Sequence, residues 1–346
     1  MSIAIEAVPF AQVMRLGVFE FTLRAETEAW LPRFKGSTLR GAFGSALKHA
    51  VCIRNDFNCE VCLVRPSCVY THLFETLPPE GVNAFRGQKH APHPYVLEPP
   101  LETKPRYAPG ERLTFGLTLI GRAIDYLPYV IFAIDQAGRR GLGQERGRFA
   151  LESVTCRAAD GEDRLIYDGT EKRLTSGSFS LDVEEFIRRR FSPLEPLNFK
   201  RLNLKLRFVT PTRIRVHGDL QSGVTFELLA KSILRRIWQV STVHCGVELS
   251  VDHRHLIERA KEVHLVRSHL KWQDWERYSN RQQTRLRMGG FVGEIELTGL
   301  DAEFLPVLAL GELLHVGTGT TMGLGKFEAT LSHQPKWFEI RRGHTV

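Results

Sequence analysis

The sequence contains no long apolar run. No stretch approaches the roughly 18 consecutive apolar residues that a membrane-spanning helix requires, and the N-terminus lacks the basic region and apolar segment of a secretory signal. We therefore expect a cytoplasmic protein that does not contact a membrane. Convincing clusters of carboxylates are also lacking, which argues against a nuclease that depends on metal ions.

The composition is that of a folded protein with a basic second half. Hydrophobic residues make up 42% of the 346 residues and charged residues 25%, which fits a globular chain of two domains. Basic residues exceed acidic residues by 8, and residues 200–290 alone contain 18 basic and 8 acidic residues. This excess favours a polyanion as the partner of the second half. A solvated basic surface without a partner is the alternative.

An internal duplication links residues 111–154 with residues 293–331. At a constant offset of 178 residues, six identities fall within about thirty positions without a gap. They pair Gly121 with Gly299, Leu127 with Leu305, Pro128 with Pro306, Gly141 with Gly319, Gly147 with Gly325 and Phe149 with Phe327. The pattern indicates one supersecondary unit used twice.

Each copy of the unit predicts a strand, a helix with proline in its first turn, a glycine-rich loop and a second strand. Upstream, each half offers a further strand and helix, over residues 13–25 and 37–50 in the first half and residues 203–216 and 226–242 in the second. Ser37 is the predicted N-cap of the first of these helices. The fold class is therefore α+β, with a β-α-β-β-α-β or ferredoxin-like order in each half. We predict a first domain over residues 1–156, a linker over 157–198 and a second domain over 199–346.

The second loop, HVGTGTTMGLGK, has four glycines within nine residues. Such a loop brings backbone N–H groups close to phosphate oxygens, although two tight turns would explain the glycines equally simply. Because the loop follows a helix and precedes a strand, it does not fit a dinucleotide site or a P-loop. We expect no small-molecule substrate. The residues of this loop predicted to contact a phosphate-bearing partner are Gly317, Gly319, Thr320, Gly323, Gly325 and Lys326.

Several motifs together resemble a known family. LRGAFGSALKHAVC, PHPYVLEPP, WQDWERYSNRQ, MGGFVGEIELTG and HVGTGTTMGLGKFE are similar to segments of the CRISPR repeat-processing endoribonucleases of the RAMP superfamily. The resemblance implies two tandem ferredoxin-like (RRM-like) domains and a glycine-rich loop that touches RNA. It also implies cleavage of precursor CRISPR RNA by the ribose 2′-OH, without a catalytic cofactor, leaving a 2′,3′-cyclic phosphate. Thr318 stands where the family leads us to expect lysine.

Candidates for acid–base chemistry follow from this resemblance and from the pKa of histidine near neutrality. His49 best matches the family's catalytic position at the end of the first helix. On an ideal helix Arg40 and His49 point in opposite directions, whereas Lys48 lies about 80° from Arg40 and can join it as a phosphate contact. His315, which opens the second glycine-rich loop, is the rival, with a role either at the scissile phosphate or in hydrogen bonding of the loop.

The segment KWQDWERYSNRQ, residues 271–282, interleaves aromatic and basic residues, as recognition of single-stranded RNA requires. Arg277, Tyr278 and Arg281 are the predicted RNA contacts. For Trp272 and Trp275, three residues apart, we favour the core-facing side of a helix.

Four of the six cysteines, Cys52, Cys59, Cys62 and Cys68, follow the pattern C-x6-C-x2-C-x5-C. Four thiolates at this spacing predict a closed structural zinc site inserted in the first domain. An iron–sulfur cluster and unmetallated thiols are the alternatives. Such clustering also fits a reducing compartment better than a disulfide framework. Cys156 and Cys245 are expected to be buried apolar residues.

Two functions remain after these arguments. The first is an endoribonuclease that acts on CRISPR repeat RNA. The second is a non-catalytic RNA-binding RAMP subunit that holds RNA together with other subunits of a CRISPR effector complex. The basic second half and the glycine-rich loops are expected for both.

Overall fold

The computed structural model describes residues 14–79, 81, 82, 85, 90–158, 161–191, 201–247, 251–274, 276–279 and 284–332. Within these ranges the chain forms two large antiparallel sheets, each with helices against it, and three short two-stranded pairs. No helix in this described part is long and apolar enough to cross a membrane.

The first half is built on a sheet of six strands in the order β3-β5-β1-β6-β7-β8. Its strands are β1 Leu16–Ala25, β3 Tyr95–Glu98, β5 Arg112–Ile120, β6 Phe149–Arg157, β7 Asp163–Asp168 and β8 Arg173–Leu174. A separate short pair joins β2 Ala29–Trp30 to β4 Arg106–Tyr107. The helices are α1 Gly36–Val51, α2 Val69–Phe74 and α3 Leu127–Arg140. The four strands β3-β5-β1-β6 and the helices α1 and α3 follow the predicted β-α-β-β-α-β order.

The second half repeats this arrangement with four strands in the order β12-β15-β9-β16. These are β9 Leu202–Thr212, β12 His264–Gln273, β15 Gly290–Leu300 and β16 Phe327–Ser332. Two short hairpins consist of β10 Arg215–Val216 with β11 Asp219–Leu220, and β13 Glu276–Ser279 with β14 Thr284–Arg287. The helices are α5 Phe226–Val240, α6 His253–Lys261 and α7 Leu305–Leu314.

Alternation of apolar residues places one face of each sheet against its helices. In β1, Phe19, Phe21 and Leu23 are at most 1% exposed, while Glu20 between them faces solvent. The side chains of α1 and α3 complete the first core, and those of α5 and α7 complete the second. Pro128 and Pro306 lie in the first turn of their helices, as predicted.

Ser37 does not cap the first helix. The helix begins at Gly36, its N-cap is Lys35, and no side chain accepts a hydrogen bond at this cap. Gly36 is required here because a Cβ atom would lie 1.9 Å from the carbonyl oxygen of Met322. The helix start is therefore determined by the close approach of another chain segment rather than by a local capping residue.

The segment predicted as a linker, residues 157–198, contains regular structure. It supplies β7 and β8 to the first sheet and then helix α4, Val183–Phe191, which packs into the core of the second half. Arg190 of α4 forms two hydrogen bonds with the Glu312 carboxylate of α7, at 2.8 and 2.9 Å. The segment therefore connects the two halves along the chain and also contributes packed elements to both, two strands to the first and one helix to the second. The part of the linker beyond residue 191 lies outside the described residues.

The duplicated units keep the offset of 178 residues at three element starts. β5 and β15 begin at Arg112 and Gly290, α3 and α7 at Leu127 and Leu305, and β6 and β16 at Phe149 and Phe327. The helices differ, because α3 has 14 residues and α7 has 10. The second loop, 315–326, is therefore four residues longer than the first, 141–148.

Candidate functional site

The second glycine-rich loop, residues 315–326, is closed at its base by a hydrogen bond of 3.0 Å from Val316 N–H to the Gly325 carbonyl. Gly317, Gly319, Gly323 and Gly325 all have positive φ. A Cβ atom on Gly325 would lie 1.9 Å from the Val316 oxygen, and one on Gly317 would lie 2.4 Å from the Arg213 oxygen. Close packing within the protein therefore accounts for these glycines, and their contact with RNA stays a prediction.

The loop docks on the first half of the chain. A Cβ atom on Gly323 would lie 2.2 Å from Cδ of Pro99, which directly follows β3. Arg40 of α1 donates from Nε to the Thr321 hydroxyl at 3.1 Å. Of the residues predicted to contribute to catalysis on α1, Arg40 is the one that the structure brings to the loop.

The first glycine-rich loop has a different environment. Gly143 and Gly147 approach the segment around β2, where added Cβ atoms would lie 2.1 Å from the Trp30 oxygen and 2.2 Å from Cβ of Ala29. This loop therefore packs within its own half. The second loop, in contrast, connects the two halves.

His315 is enclosed, with 1% of its surface exposed. Its Nδ1 donates to the Leu324 carbonyl at 3.1 Å, and its Nε2 lies 3.5 Å from the Glu98 carboxylate on β3. Lys326 also pairs with Glu98. These contacts agree with the predicted role in hydrogen bonding of the loop. Because both ring nitrogens face acceptors of the protein itself, neither nitrogen is open to a substrate.

Glu98 holds the loop to the first half by its charge. Burial alone would raise the pKa of this carboxyl, but the hydrogen bond and charge of His315, together with Lys326, lower the pKa to about 2. Glu98 is therefore ionised at neutral pH, where it is the counter-ion of Lys326 and faces the His315 ring.

His49 and Lys48 lie at the opposite end of α1. Arg40 and His49 are nine positions apart, which corresponds to about 14 Å along the helix axis. His49 Nδ1 is 2.8 Å from the Ser45 carbonyl, and its ring lies 4.8 Å from that of Phe57. Lys48 Nζ lies 4.9 Å from the centre of the Tyr70 ring. The structure does not bring His49 or Lys48 to the glycine-rich loop.

The cysteines of the predicted metal site lie between α1 and α2. Cys52, Cys59, Cys62 and Cys68 line one small pocket. Within the described residues, however, no three His, Cys, Asp or Glu side chains are arranged to hold a metal ion. The thiols suit zinc by their chemistry and by their gathering in one pocket, but their arrangement is not that of a formed site. Cys156 is buried, as predicted, and Cys245 is half-buried.

The prediction that Trp272 faces the core from a helix is wrong. Trp272 lies in strand β12, is 40% exposed and donates from Nε1 to the Asp274 carboxylate at 2.8 Å. Arg277 and Tyr278 lie in β13, opposite Leu286 and Arg285 of β14. β13 follows β12 along the chain, and β14 precedes β15. Since β12 pairs with β15, the β13–β14 hairpin continues from the end of the β12–β15 ribbon. Trp275 and Arg281 lie outside the described residues.

A cluster of histidines that sequence reasoning missed lies between the halves. His244, in the π-helical turn Ser241–Cys245 after α5, is 4% exposed, and its Nε2 lies 2.7 Å from the Pro92 carbonyl. Its ring centre lies 5.6 Å from that of His72 on α2. Gly121 permits this approach, because a Cβ atom there would lie 2.0 Å from the His244 oxygen.

His93 lies on the same interface, just before β3. Its ring stacks on Tyr95 at 6.1 Å between centres, and its buried Nδ1 has no hydrogen-bond partner. Burial, followed by the charges of Arg40, His90, His244 and Arg236, lowers the pKa of His93 to about 3. The motif PHPY around His93 was visible in the sequence, but its place near the charges of Arg40 on α1 and Arg236 on α5 was not.

Arg236 of α5 completes the cluster. Its Nε donates to the Leu314 carbonyl at 2.7 Å, directly before the glycine-rich loop, and its buried Nη2 has no partner. Burial lowers the pKa of this guanidinium to about 10. The interface thus gathers cationic and histidine side chains beside the loop.

Comparison with known proteins agrees with the resemblance seen in the sequence. Residues 206–327 match the family model described as CRISPR-associated endoribonuclease Cas6, and residues 14–179 match a family model described as an N-terminal domain. An uncharacterized protein of Archaeoglobus fulgidus is 23% identical over 300 residues, which cover 86% of this chain and 92% of that protein.

Solved structures share the fold. A chain of a partial Cas6-RT-Cas1–Cas2 complex superposes on this protein with a TM-score of 0.54 at 15% identity. The match covers 96% of this protein and 48% of the chain in the complex, so this protein spans about half the length of that relative. Cas6 from Thermus thermophilus gives a TM-score of 0.51 at 17% identity, covering 92% of this chain and 99% of that one. A Cas6 product complex gives 0.53 at 17% identity, covering 91% and 99%. The resemblance to CRISPR repeat-processing endoribonucleases is thereby confirmed, by sequence in the second half and by fold over both.

Proposed function

We propose that this chain is an endoribonuclease that cleaves precursor CRISPR RNA within its repeats, in the cytoplasm. The observation that carries the proposal is the match of residues 206–327 to the Cas6 family model. The matched region includes the whole of the second glycine-rich loop, which contacts Arg40 of the first half. The excess of basic residues between positions 200 and 290 supports RNA as the partner.

The proposed reaction is a metal-independent transesterification. The ribose 2′-oxygen forms a bond to phosphorus as its proton passes to a base, and the bond from phosphorus to the 5′-oxygen breaks as that oxygen takes up a proton. The products are a 2′,3′-cyclic phosphate and a 5′-hydroxyl end. Histidines serve both proton transfers, and arginines stabilise the charge that develops on the phosphate. Side chains of these two types gather beside the second loop.

A second candidate function is a non-catalytic RNA-binding subunit of a CRISPR effector complex. The enclosure of His315 and the position of His49 at the far end of α1 favour it, because neither histidine offers a free ring beside the loop. Both functions require RNA binding. They differ in whether the bound repeat is cut.

The test incubates the purified chain with its own repeat RNA in excess EDTA and identifies the product ends. The endoribonuclease proposal expects cleavage with 2′,3′-cyclic phosphate ends, whereas binding without cleavage supports the second function. Products with 3′-hydroxyl ends would reject the transesterification. His49→Ala and His315→Ala, assayed in parallel, test the two predicted acid–base residues; cleavage at the unchanged rate in either variant removes that residue from the chemistry.

We further propose that the cysteine insertion of the first ferredoxin-like domain holds structural zinc, with an iron–sulfur cluster as the alternative. The common pocket of Cys52, Cys59, Cys62 and Cys68 supports the proposal. A tetrahedral site requires these thiols to move closer together and to lose their protons. Elemental analysis of the purified protein distinguishes zinc from iron, and less than one equivalent of either metal would contradict the proposal.

A further inference from the structure

We propose that the cluster formed by Arg40, Arg236, His93 and His244 binds one phosphate group of the RNA backbone, and that His93 exchanges a proton with the reacting oxygens. The inference rests on the proposed function and assigns residues to it. Hereafter these four residues are called the interface cluster. They come from both halves, with Arg40 and His93 in the first and Arg236 and His244 in the second.

Charge is the first argument for an anion. Within the described part of the chain, no carboxylate forms an ion pair with Arg40 or Arg236, whereas about half of the other arginines have one, such as Arg112 with Glu152 at 2.6 Å. A partly buried guanidinium without a counter-ion is costly unless an anion joins it. The interface cluster combines two such guanidinium groups.

Unpaired polar atoms are the second argument. Arg236 Nη2, His93 Nδ1 and His244 Nδ1 are buried and have no hydrogen-bond partner. Buried polar atoms in folded proteins are nearly always paired. Arg236 Nη2 is a donor, and His93 Nδ1 donates in one of its two tautomers. His244 already donates from Nε2 to the Pro92 carbonyl, so its Nδ1 donates only when the ring is protonated. A phosphodiester supplies several oxygens that accept such hydrogen bonds.

The position of the cluster is the third argument. Arg40 joins it to the glycine-rich loop through the Thr321 hydroxyl, and Arg236 joins it to the last carbonyl of α7. The phenol of Tyr95, which is fully buried, faces Arg40 and Thr321 at the same point. A phosphate at this point would contact both halves and would lie beside the loop that matches the Cas6 family.

The chemistry of His93 follows from its surroundings. The groups that face it are Arg40 on α1, His90 in its own segment, and Arg236 and His244 from the second half. Burial of the ring, followed by the positive charge of the nearby arginines, lowers the pKa of His93 and keeps it neutral in the free protein, so it can accept a proton. A bound phosphate anion would offset these charges and raise the pKa of His93 toward neutrality. His93 could then accept the 2′-hydroxyl proton, and proton return to the 5′-oxygen would come from a second histidine, for which His90 is the nearest candidate in the chain.

The experiment titrates the folded protein, labelled with nitrogen-15 in its histidines, with inorganic phosphate and then with repeat RNA whose scissile 2′-OH is replaced by hydrogen. His93 resonances, assigned through His93→Gln, are expected to shift saturably with both ligands, and the midpoint of His93 protonation is expected to rise by about one pH unit or more. Shifts that remain linear to high phosphate concentration, with no change caused by RNA, would overturn the proposal.

A matched pair of variants tests the arginine. Arg236→Gln removes the partly buried guanidinium, and Arg235→Gln removes the exposed charge of its neighbour. Loss of one charge-assisted contact should weaken phosphate binding on the order of tenfold in Arg236→Gln and little in Arg235→Gln. Equal affinities in the two variants would contradict the assignment. Circular dichroism and the histidine spectrum of each variant show whether the variant is folded. If Arg236→Gln does not fold, the phosphate titration of the unchanged protein still tests the proposal.

Cleavage assays separate this inference from the proposed function. If the unchanged protein cuts repeat RNA and His93→Gln cuts at the same rate, the inference is wrong and the endoribonuclease proposal stands. If phosphate binds at the interface cluster but the unchanged protein does not cut repeat RNA, the anion site stands and the endoribonuclease proposal is wrong. A slow His93→Gln variant that binds the RNA normally, with a changed pH profile of cleavage, is the result expected.

Discussion

Replacing Glu98 with glutamine keeps the shape of the side chain and removes the charge that holds the glycine-rich loop. The folded protein lowers the pKa of Glu98 from 4.5 to about 2, through His315 and Lys326 acting against burial. A pKa that is lower by about 2.5 in the folded protein than in the unfolded chain corresponds to about 3 kcal/mol in the free energy of unfolding. Because the side chain is 23% exposed, this figure is an upper estimate.

The sign of the pH dependence follows from linkage. A carboxyl whose pKa is lowered by folding stabilises the protein above its unfolded pKa, and this contribution is lost as the pH falls through the folded pKa. For Glu98 the window runs from about pH 4.5 down to about pH 2. Glutamine resembles the protonated carboxyl, so the difference between the two proteins should fall to about 1 kcal/mol at pH 3.

The assay is urea unfolding of the unchanged protein, Glu98→Gln and the control Glu20→Gln at pH 7 and pH 3. Glu20 is exposed on β1 of the same sheet, so its replacement should have little effect. A Glu98→Gln variant as stable as the control at pH 7, or one with an equal deficit at both pH values, would refute the assignment of Glu98 as the counter-ion of the loop.

Three further predictions concern the loop, the RNA partner and the linker helix. Gly323→Ala should destabilise the protein by about 2 kcal/mol, because the φ of Gly323 is +86° and a Cβ atom there would overlap Pro99 of the first half. Thermal unfolding measures this loss. Gly81→Ala is the control, because Gly81 also has a positive φ but no close neighbour. Arg267→Gln and Lys271→Gln, on the exposed strand β12, should each reduce the slope of log K for RNA against log salt by about one, and an unchanged slope would exclude them as phosphate contacts. Arg190→Gln should lower the free energy of unfolding by about 2 kcal/mol through loss of its contacts with α7, measured in urea, and a value near zero would contradict a stabilising role for this contact.

The duplicated unit was the part of the fold that the sequence could predict. Pro128 and Pro306 mark helix starts because proline gives up an N–H that has no partner in the first turn. Alternating apolar residues mark the strands because one face of each sheet is buried. Both signals are local, and the structure contains the elements that they predict.

The errors arise where tertiary contacts override local signals. Ser37 has the chemistry of an N-cap, but the approach of Met322 to Gly36 moves the helix start. Trp272 has helical spacing from Trp275, yet it lies in a strand of the β12–β15 ribbon. Neither a distant backbone contact nor long-range strand pairing can be read from neighbouring residues.

The candidate site could be predicted only in part for the same reason. Arg40 and the loop residue Thr321 are 281 positions apart, and His93 and Arg236 belong to different halves. The resemblance to a family indicated the glycine-rich loop and α1 as parts of the site. It did not indicate roles for His93 and His244, which the fold brings together at the interface between the halves. No local signal indicates which buried donors lack partners.

The unequal lengths of α3 and α7 show how one copy of the unit diverged from the other. The second helix ends one turn earlier, and the four residues so released belong to the loop that reaches across to the first half. Because the number of residues between helix start and strand start is the same in both copies, β16 keeps its pairing with β9. A glycine-rich loop can therefore lengthen without inserting a residue and without shifting the register of the sheet behind it.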